Sequence, residues 1–401
     1  MIDIKQAPRY LYFVNALQHL MFCLPVLMLF YQYKNVSQGD FFFIQGLALG
    51  AVFLLEIPSG YIADIFSRKT SLVIGMFGWL FGYLCWIFGS GFFFMLIGEL
   101  IFAVGISFIS GTLDAYLYDL LKKRNKQHLY HKKLSKMSTF GNIGLFFSSI
   151  TGAFLYQFIG PEATVGLCMV SIFIAALILM ILPDVPEAKR KVEKGKSKIK
   201  DIFEISNLAL KNKEIKWLMI FPAAYGALTL TLMWGLQSVM IATNVPVFMF
   251  SIMVSLNSFM RIVWSICAGS VLEFIGLNKS VFALCGLLLI SLLCASLSVI
   301  VPPSLVYIFL IMMILSSSSR VLCSLISTTL INHKIQSNER ATVLSVKSMI
   351  DRICSCFAML SLKPLFDSFG VSLTFMIASV LIIPILISGV VLAKLKIKMT
   401  D

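Results

Sequence analysis

The segment Glu56–Thr70, EIPSGYIADIFSRKT, places two acids and two adjacent bases around a glycine in otherwise apolar surroundings. An apolar run at about 40–63 leads into it and another, at about 70–89, leads out. Each is close to the roughly 20 residues that cross a ~30 Å hydrocarbon layer as a helix. Gly60 to Lys69 therefore reads as a short turn at one membrane face, between two spanning helices. Glu56 is still inside the first of them.

The rest of the chain repeats this pattern. Of its 401 residues 59% are hydrophobic and only 13% charged, and the mean hydropathy is +0.91. A soluble domain carries about 25% charged residues, so lipid must be the solvent. Twelve apolar spans follow, at about 10–33, 40–63, 70–89, 92–120, 137–158, 163–182, 215–241, 247–272, 280–300, 303–330, 342–365 and 370–393. Their lengths imply helices, because barrel strands alternate over about 10 residues. The first span is too long for a signal-peptide core, and no small-residue cleavage site follows it, so it is read as retained.

The net charge of +14 is unevenly placed. Lys122, Lys123, Arg124, Lys126, Lys132, Lys133 and Lys136 separate spans 4 and 5, and seven more bases from Lys189 to Lys200 separate spans 6 and 7. With both termini on the same side, the opposite loops hold only Lys34 and Lys363. The basic loops and both termini are thus expected in the cytoplasm. The basic excess reads as topology and contact with anionic membrane lipids, not as nucleic-acid binding. Nine cysteines lie in apolar spans without metal-ligand spacing, which points to small hydrophobes and to no cofactor. No phosphate-binding Gly-x-x-x-x-Gly-Lys-Ser/Thr string occurs, so ATP is not the expected energy source. Neither a metal cluster nor a nucleophile–base constellation supports an enzyme.

The polar stretch Pro183 to Lys213 divides the spans six and six, giving domains 1–183 and 214–401 joined by a basic linker at 184–213. An internal repeat supports the division. GYIADIFSRK after span 2 matches GSVLEFIGLNK after span 8, with Gly60 on Gly269, Asp64 on Glu273 and Ser67 on Gly276, an offset of 209 residues. Repeated bundles of this kind place a substrate site near the midplane and work by rocking. The expected fold is all-α: twelve transmembrane helices in two pseudo-symmetric six-helix bundles.

GYIADIFSRK resembles the loop signature of the major facilitator superfamily, through Gly60, Ala63, Asp64, Arg68 and Lys69. Ile65 replaces its first basic residue and Ser67 its second glycine. EIPSG from Glu56, SGTLDAYLYD from Ser110, WGLQ from Trp234 and ERATVLS from Glu339 resemble one bacterial branch. The resemblance implies a monomeric secondary transporter of a small-molecule substrate in the bacterial inner membrane, proton-coupled, with export slightly favoured; an importer or exchanger of an organic anion and a non-transporting membrane receptor are the alternatives. It also implies that spans 1, 4, 7 and 10 line the path. Asp64 would cap the start of span 11 and Arg68 would pair with Asp119, a latch to which Gly60, Gly269 and Glu273 contribute. Two features depart from the pattern: Glu99 stands where many proton antiporters carry arginine, and span 5 lacks a Gly-Pro pair although it holds Gly141, Gly144 and Gly152.

Charges within spans are costly, about 2.5–3.5 kcal/mol each on insertion scales, and so mark function. The set is Glu56 in span 2, Glu99 and Asp114 in span 4, Arg261 in span 8, Arg320 in span 10, and Asp351 with Arg352 in span 11. Three of these acids lie in the first half and all the arginines in the second. They serve as salt bridges between bundles that form and break, as an anion site with a proton-carrying acid, or as fixed pairing for assembly. Fifteen residues at 100° each put Glu99 and Asp114 about 60° apart on one helix, both able to face one cleft. Glu99 is the foremost proton site, since low dielectric favours a neutral carboxyl, with Glu56 and Asp114 beside it. Asn15, Gln18, Asp114, Trp234, Gln237, Arg261, Arg320 and Arg352 are expected to line the substrate cavity.

Overall fold

The computed structural model describes residues 3–65, 67–185, 211–335 and 340–394. Its helices are α1 Ala7–Gln18, α2 Leu27–Tyr33, α3 Gln38–Ile65, α4 Arg68–Phe88, α5 Phe92–Ile109, α6 Thr112–Lys122, α7 Tyr130–Phe158 and α8 Pro161–Ile181. They continue as α9 Lys213–Ala242, α10 Val247–Ile275, α11 Leu277–Leu297, α12 Pro303–Ser318, α13 Arg320–Lys334, α14 Arg340–Val380 and α15 Ile382–Lys394. Among the described residues nine helical runs are long and apolar enough to cross a membrane, and the chain is a multi-pass, all-α membrane protein. The run Val343–Val391 bends at Gly370, whose φ of 66° is open to glycine, and so covers the last two expected spans. The chain forms two compact units: Met1–Val192 with Pro246–Ser255, and Glu193–Val245 with Leu256–Asp401. Most of the expected basic linker, Lys189 to Lys200 included, lies outside the described residues.

The 209-residue repeat extends to backbone geometry. Asn35 and Asn244, both left-handed at φ 59° and 52°, end the first span of each half. Asn tolerates this region because its short polar side chain bonds locally. Span 4 breaks at Ser110–Gly111 between α5 and α6, and span 10 breaks at Ser319 between α12 and α13; Ser110 and Ser319 again lie 209 apart.

The turn after span 2 is shorter than expected. Gly60 is not in it: α3 stays helical to Ile65 and α4 begins at Arg68. Ser67 stands where the signature has glycine because it is an N-cap, its Oγ accepting from the Thr70 N–H at 3.2 Å. The aligned Gly276 starts α11 with φ 76° and no side-chain cap. The next two residues tie down other helix ends. Arg68 Nε lies 3.0 Å from Asp119 Oδ2, and Lys69 Nζ donates to the Leu182 carbonyl at 2.7 Å. Nearby, Tyr116 Oη donates to the Pro183 carbonyl at 2.5 Å. The Asp64 side chain lies outside the described residues. Gly269 shows no close approach, since a Cβ there would meet open space, and Glu273 is exposed.

At the opposite end of the first unit, the buried Lys34 gathers three turns. Its Nζ donates to the Ile87 carbonyl at 2.8 Å and meets Glu162 Oε1 at 3.3 Å, while its own carbonyl accepts from the Gly91 N–H at 2.7 Å. Between these ends α4 and α5 cross on glycines. A Cβ on Gly105 would stand 2.7 Å from the Gly75 carbonyl oxygen, and one on Gly98 would stand 3.2 Å from that of Gly82. Backbones this close replace the hydrophobic effect, which lipid does not supply between helices. Gly105→Ala is expected to cost about 1–3 kcal/mol by overpacking, read as a lowered Tm in detergent. Gly166→Ala, where an added Cβ meets nothing within 4 Å, leaves the Tm unchanged or slightly higher.

Candidate functional site

Span 1 is discontinuous. It stops at Gln18, turns through Leu24–Val26 and resumes as α2. The freed backbone is answered from α7, where Ser148 Oγ accepts from the Met21 N–H at 3.0 Å. Gly141, Gly144 and Gly152 let α7 approach this segment: added Cβ atoms would press on the Asn15 side chain and on the Ala16 and Phe22 carbonyls. The glycines of span 5 thus accommodate a broken helix. Asn15 is buried and donates to the Met137 carbonyl at 2.9 Å, a tie between α1 and α7. Gln18 is buried too, its Oε1 accepting no hydrogen bond among the described residues.

Glu99 is buried on α5, and Tyr31 Oη and Gln45 Nε2 both donate to its Oε1, at 2.8 and 2.5 Å. Edge-on contacts of Tyr31 with Phe41 and Trp86 aim the hydroxyl. Glu99 is therefore held by α2 and α3. Asp114 is exposed, in the first turn of α6. The helical-phase argument linking the two acids fails because the helix breaks between them at Ser110–Gly111, which resets the phase. Glu56 lies half-buried on α3.

In the second unit the charges converge. Arg320 Nη2 lies 2.6 Å from Asp351 Oδ2, joining α13 to α14. The pair rests against the backbone of α9 at Gly226, where a Cβ would stand 2.8 Å from Asp351 Oδ1 and 3.3 Å from Arg320 Nε. Arg320 and Asp351, with Ala223, Ser324, Thr328 and Lys347, line a cavity of about 330 Å³, within the ~300–1,000 Å³ usual for ligand sites. An apolar hollow beside Phe221, Val281 and Leu284 holds only about 20 Å³ and is too small for a solute. Lys347 donates to Ser324 Oγ, the Ser324 carbonyl and Thr328 Oγ1 at 3.1, 3.2 and 2.9 Å. Arg261 is exposed on α10 and does not line this cavity.

Several expected site residues lie elsewhere. Trp234 and Gln237 are buried farther along α9 and do not line this cavity, nor does Arg352. The serine run before Arg320 forms a polar seam. Ser317 accepts from Asn257 at 2.6 Å, Ser318 from the Trp264 indole at 3.0 Å, and Ser319 bonds the Tyr225 hydroxyl at 2.6 Å. For Glu99, Arg320 and Asp351, the partners described lie within one unit, on other helices of the same bundle. Lys347 escaped the sequence reading, although a lysine inside the run 342–365 is as clear a signal as the arginine five residues later.

Comparison with known proteins agrees with this architecture. A stretch of 107 residues is 34% identical to an uncharacterized transporter of Buchnera aphidicola subsp. Schizaphis graminum, and covers 26% of each chain. A stretch of 192 residues is 23% identical to uncharacterized transporter BU466 of Buchnera aphidicola subsp. Acyrthosiphon pisum, 47% of this chain and 46% of that one. The chain thus spans from about a quarter to about half the length of these relatives. Among solved structures, the nucleoside transporter NupG superposes with a TM-score of 0.78 at 15% identity, over 99% of this chain and 100% of that one. A D-xylose-proton symporter superposes with a TM-score of 0.73 at 13% identity, over 98% and 100%. These likenesses establish a fold shared with membrane transporters, and none of them is an enzyme. The family model described as Major Facilitator Superfamily matches residues 11–359, and the chain belongs to that superfamily.

Proposed function

We propose that the protein is a secondary transporter of a small organic anion, working in a bacterial inner membrane with both termini in the cytoplasm. The observation that carries this reading is the cavity in the second unit, where Arg320 and Lys347 face the single acid Asp351. A positive wall at low dielectric attracts an anion far more strongly than the same charges do in water. A cationic substrate has less support. The one buried acid among the described residues of the first unit, Glu99, already accepts from Tyr31 and Gln45.

The anion is exposed to either side of the membrane in turn by rocking of the two six-helix halves, with export as the direction suggested by the resembling bacterial branch. Glu99 is the coupling residue. Two donors on one oxygen hold the carboxylate in place while leaving the other oxygen to take a proton. The Arg68–Asp119 pair belongs to the latch at the basic end of the first unit. The protein acts as a monomer among anionic lipids.

Counterflow of labelled organic anions in proteoliposomes tests the site. Arg320→Gln should weaken apparent affinity about 10- to 100-fold, the equivalent of the ~1.5–3 kcal/mol of a hydrogen bond to a charged group. Undiminished anion counterflow in that variant would sink the anion reading. Glu99→Gln should keep counterflow but lose its acceleration by an imposed pH gradient; a variant that still responds rules Glu99 out as the proton site. Gly226→Ala should mimic Arg320→Gln in flux, because the new methyl displaces the ion pair, while leaving the assembled protein monodisperse on size exclusion.

A further inference from the structure

The cavity of the second unit has two unlike walls. On the side of α13 and α14, Arg320 and Asp351 neutralise each other at 2.6 Å, so the lining carries one net positive charge, that of Lys347. No carboxylate lies at ion-pairing distance from Lys347 among the described residues. Its three donor contacts go to neutral oxygens of Ser324 and Thr328. Ser324 Oγ and Thr328 Oγ1 accept from this one nitrogen at 3.1 and 2.9 Å, which sets them side by side in the cavity lining. Neither hydroxyl donates its own proton to another group among the described residues. An O–H that accepts from an ammonium is polarised and becomes a stronger donor in its turn. The wall formed by α9 is different. It contributes Met219, Pro222 and Ala223, all apolar. Pro222 has no N–H, and the Leu218 carbonyl that it frees already accepts from Ser327.

We infer that the cavity takes a singly charged amphipathic anion, a monocarboxylate with an apolar body, received by the Ser324 and Thr328 hydroxyls. This rests on the anion reading above. Two donors side by side match the two oxygens of a carboxylate, and Lys347 behind them supplies the counter-charge. One negative charge balances the lining, whereas a second would be left unpaired at low dielectric. The body of the solute lies against α9, where a hydroxyl would lose its water and find no partner.

Binding to the full-length protein in nanodiscs at neutral pH, where carboxylic acids are ionised, tests this with four solutes of equal chain length. Hexanoate is compared with adipate, which adds a charge, with gluconate, which adds hydroxyls, and with hexanamide, which has no charge. Hexanoate should bind about tenfold more tightly than each of the others. The double variant Ser324→Ala, Thr328→Val keeps the Lys347 charge and should weaken hexanoate about tenfold. Met219→Gln gives α9 a hydrogen-bonding group of similar length and should narrow the gap between hexanoate and gluconate, a change that a misfolded protein cannot produce. Undiminished hexanoate binding in the double variant overturns reception by the hydroxyls. Adipate or gluconate binding as tightly as hexanoate overturns the solute assignment and leaves anion transport standing. Hexanamide binding as tightly as hexanoate, or no binding by any of the four, overturns both.

Discussion

Inside a bilayer no water is available to answer the backbone, so each N–H and C=O of a spanning segment must be answered by another part of the protein. Much of the bundle's detail follows from that constraint. The Met21 amide freed by the break in span 1 is taken up by Ser148. Consecutive serines at 317, 318 and 319 engage Asn257, Trp264 and Tyr225 on two different helices. A lone acid, Glu99, becomes tolerable because two donors converge on one of its oxygens. Where polar pairing does not set the contact, glycine-lined crossings such as Gly75–Gly105 bring backbones together and gain dispersion instead.

Against that background the cavity in the second unit stands out by its electrostatics. Its hydrogen bonds are largely made, but its charges do not balance. Arg320 and Asp351 form a compact pair that only a glycine on α9 leaves room for, and Lys347 is held by neutral oxygens. A bundle selected for stability alone would gain by replacing these groups with well-packed apolar side chains. Retaining them is intelligible if the missing charge arrives with a solute.

The breaks of spans 4 and 10, 209 residues apart, bear on the same point. A helix interrupted mid-span can carry a charged residue at the interruption, as Arg320 is carried directly after Ser319. It also changes the direction of every residue beyond. For this reason Glu99 and Asp114, close in phase on an ideal helix, end in different surroundings, one buried and one exposed. In the SRK of the opening segment, Ser67 caps α4, Arg68 meets Asp119 and Lys69 holds the Leu182 carbonyl. A stretch that reads as a topological marker is thus also a set of fastenings within one bundle.

Sequence alone determined that the chain lives in lipid, that its spans are helical and that the halves repeat, while the pairing of Arg68 with Asp119 was implied by the family resemblance. These properties are sums over consecutive residues or copies of a short string, and they survive without knowledge of which helices are neighbours. The partners of Glu99, the pairing of Arg320 with Asp351 inside one unit, and the place of Lys347 in the cavity were decided only by tertiary structure. Each depends on the rotational phase and contacts of two or three helices far apart in the chain, and phase is lost at every break. The division of charge between halves was visible in the sequence, but it says nothing of distance. In a low-dielectric interior, distance decides which charges are neutralised and which are left for a substrate.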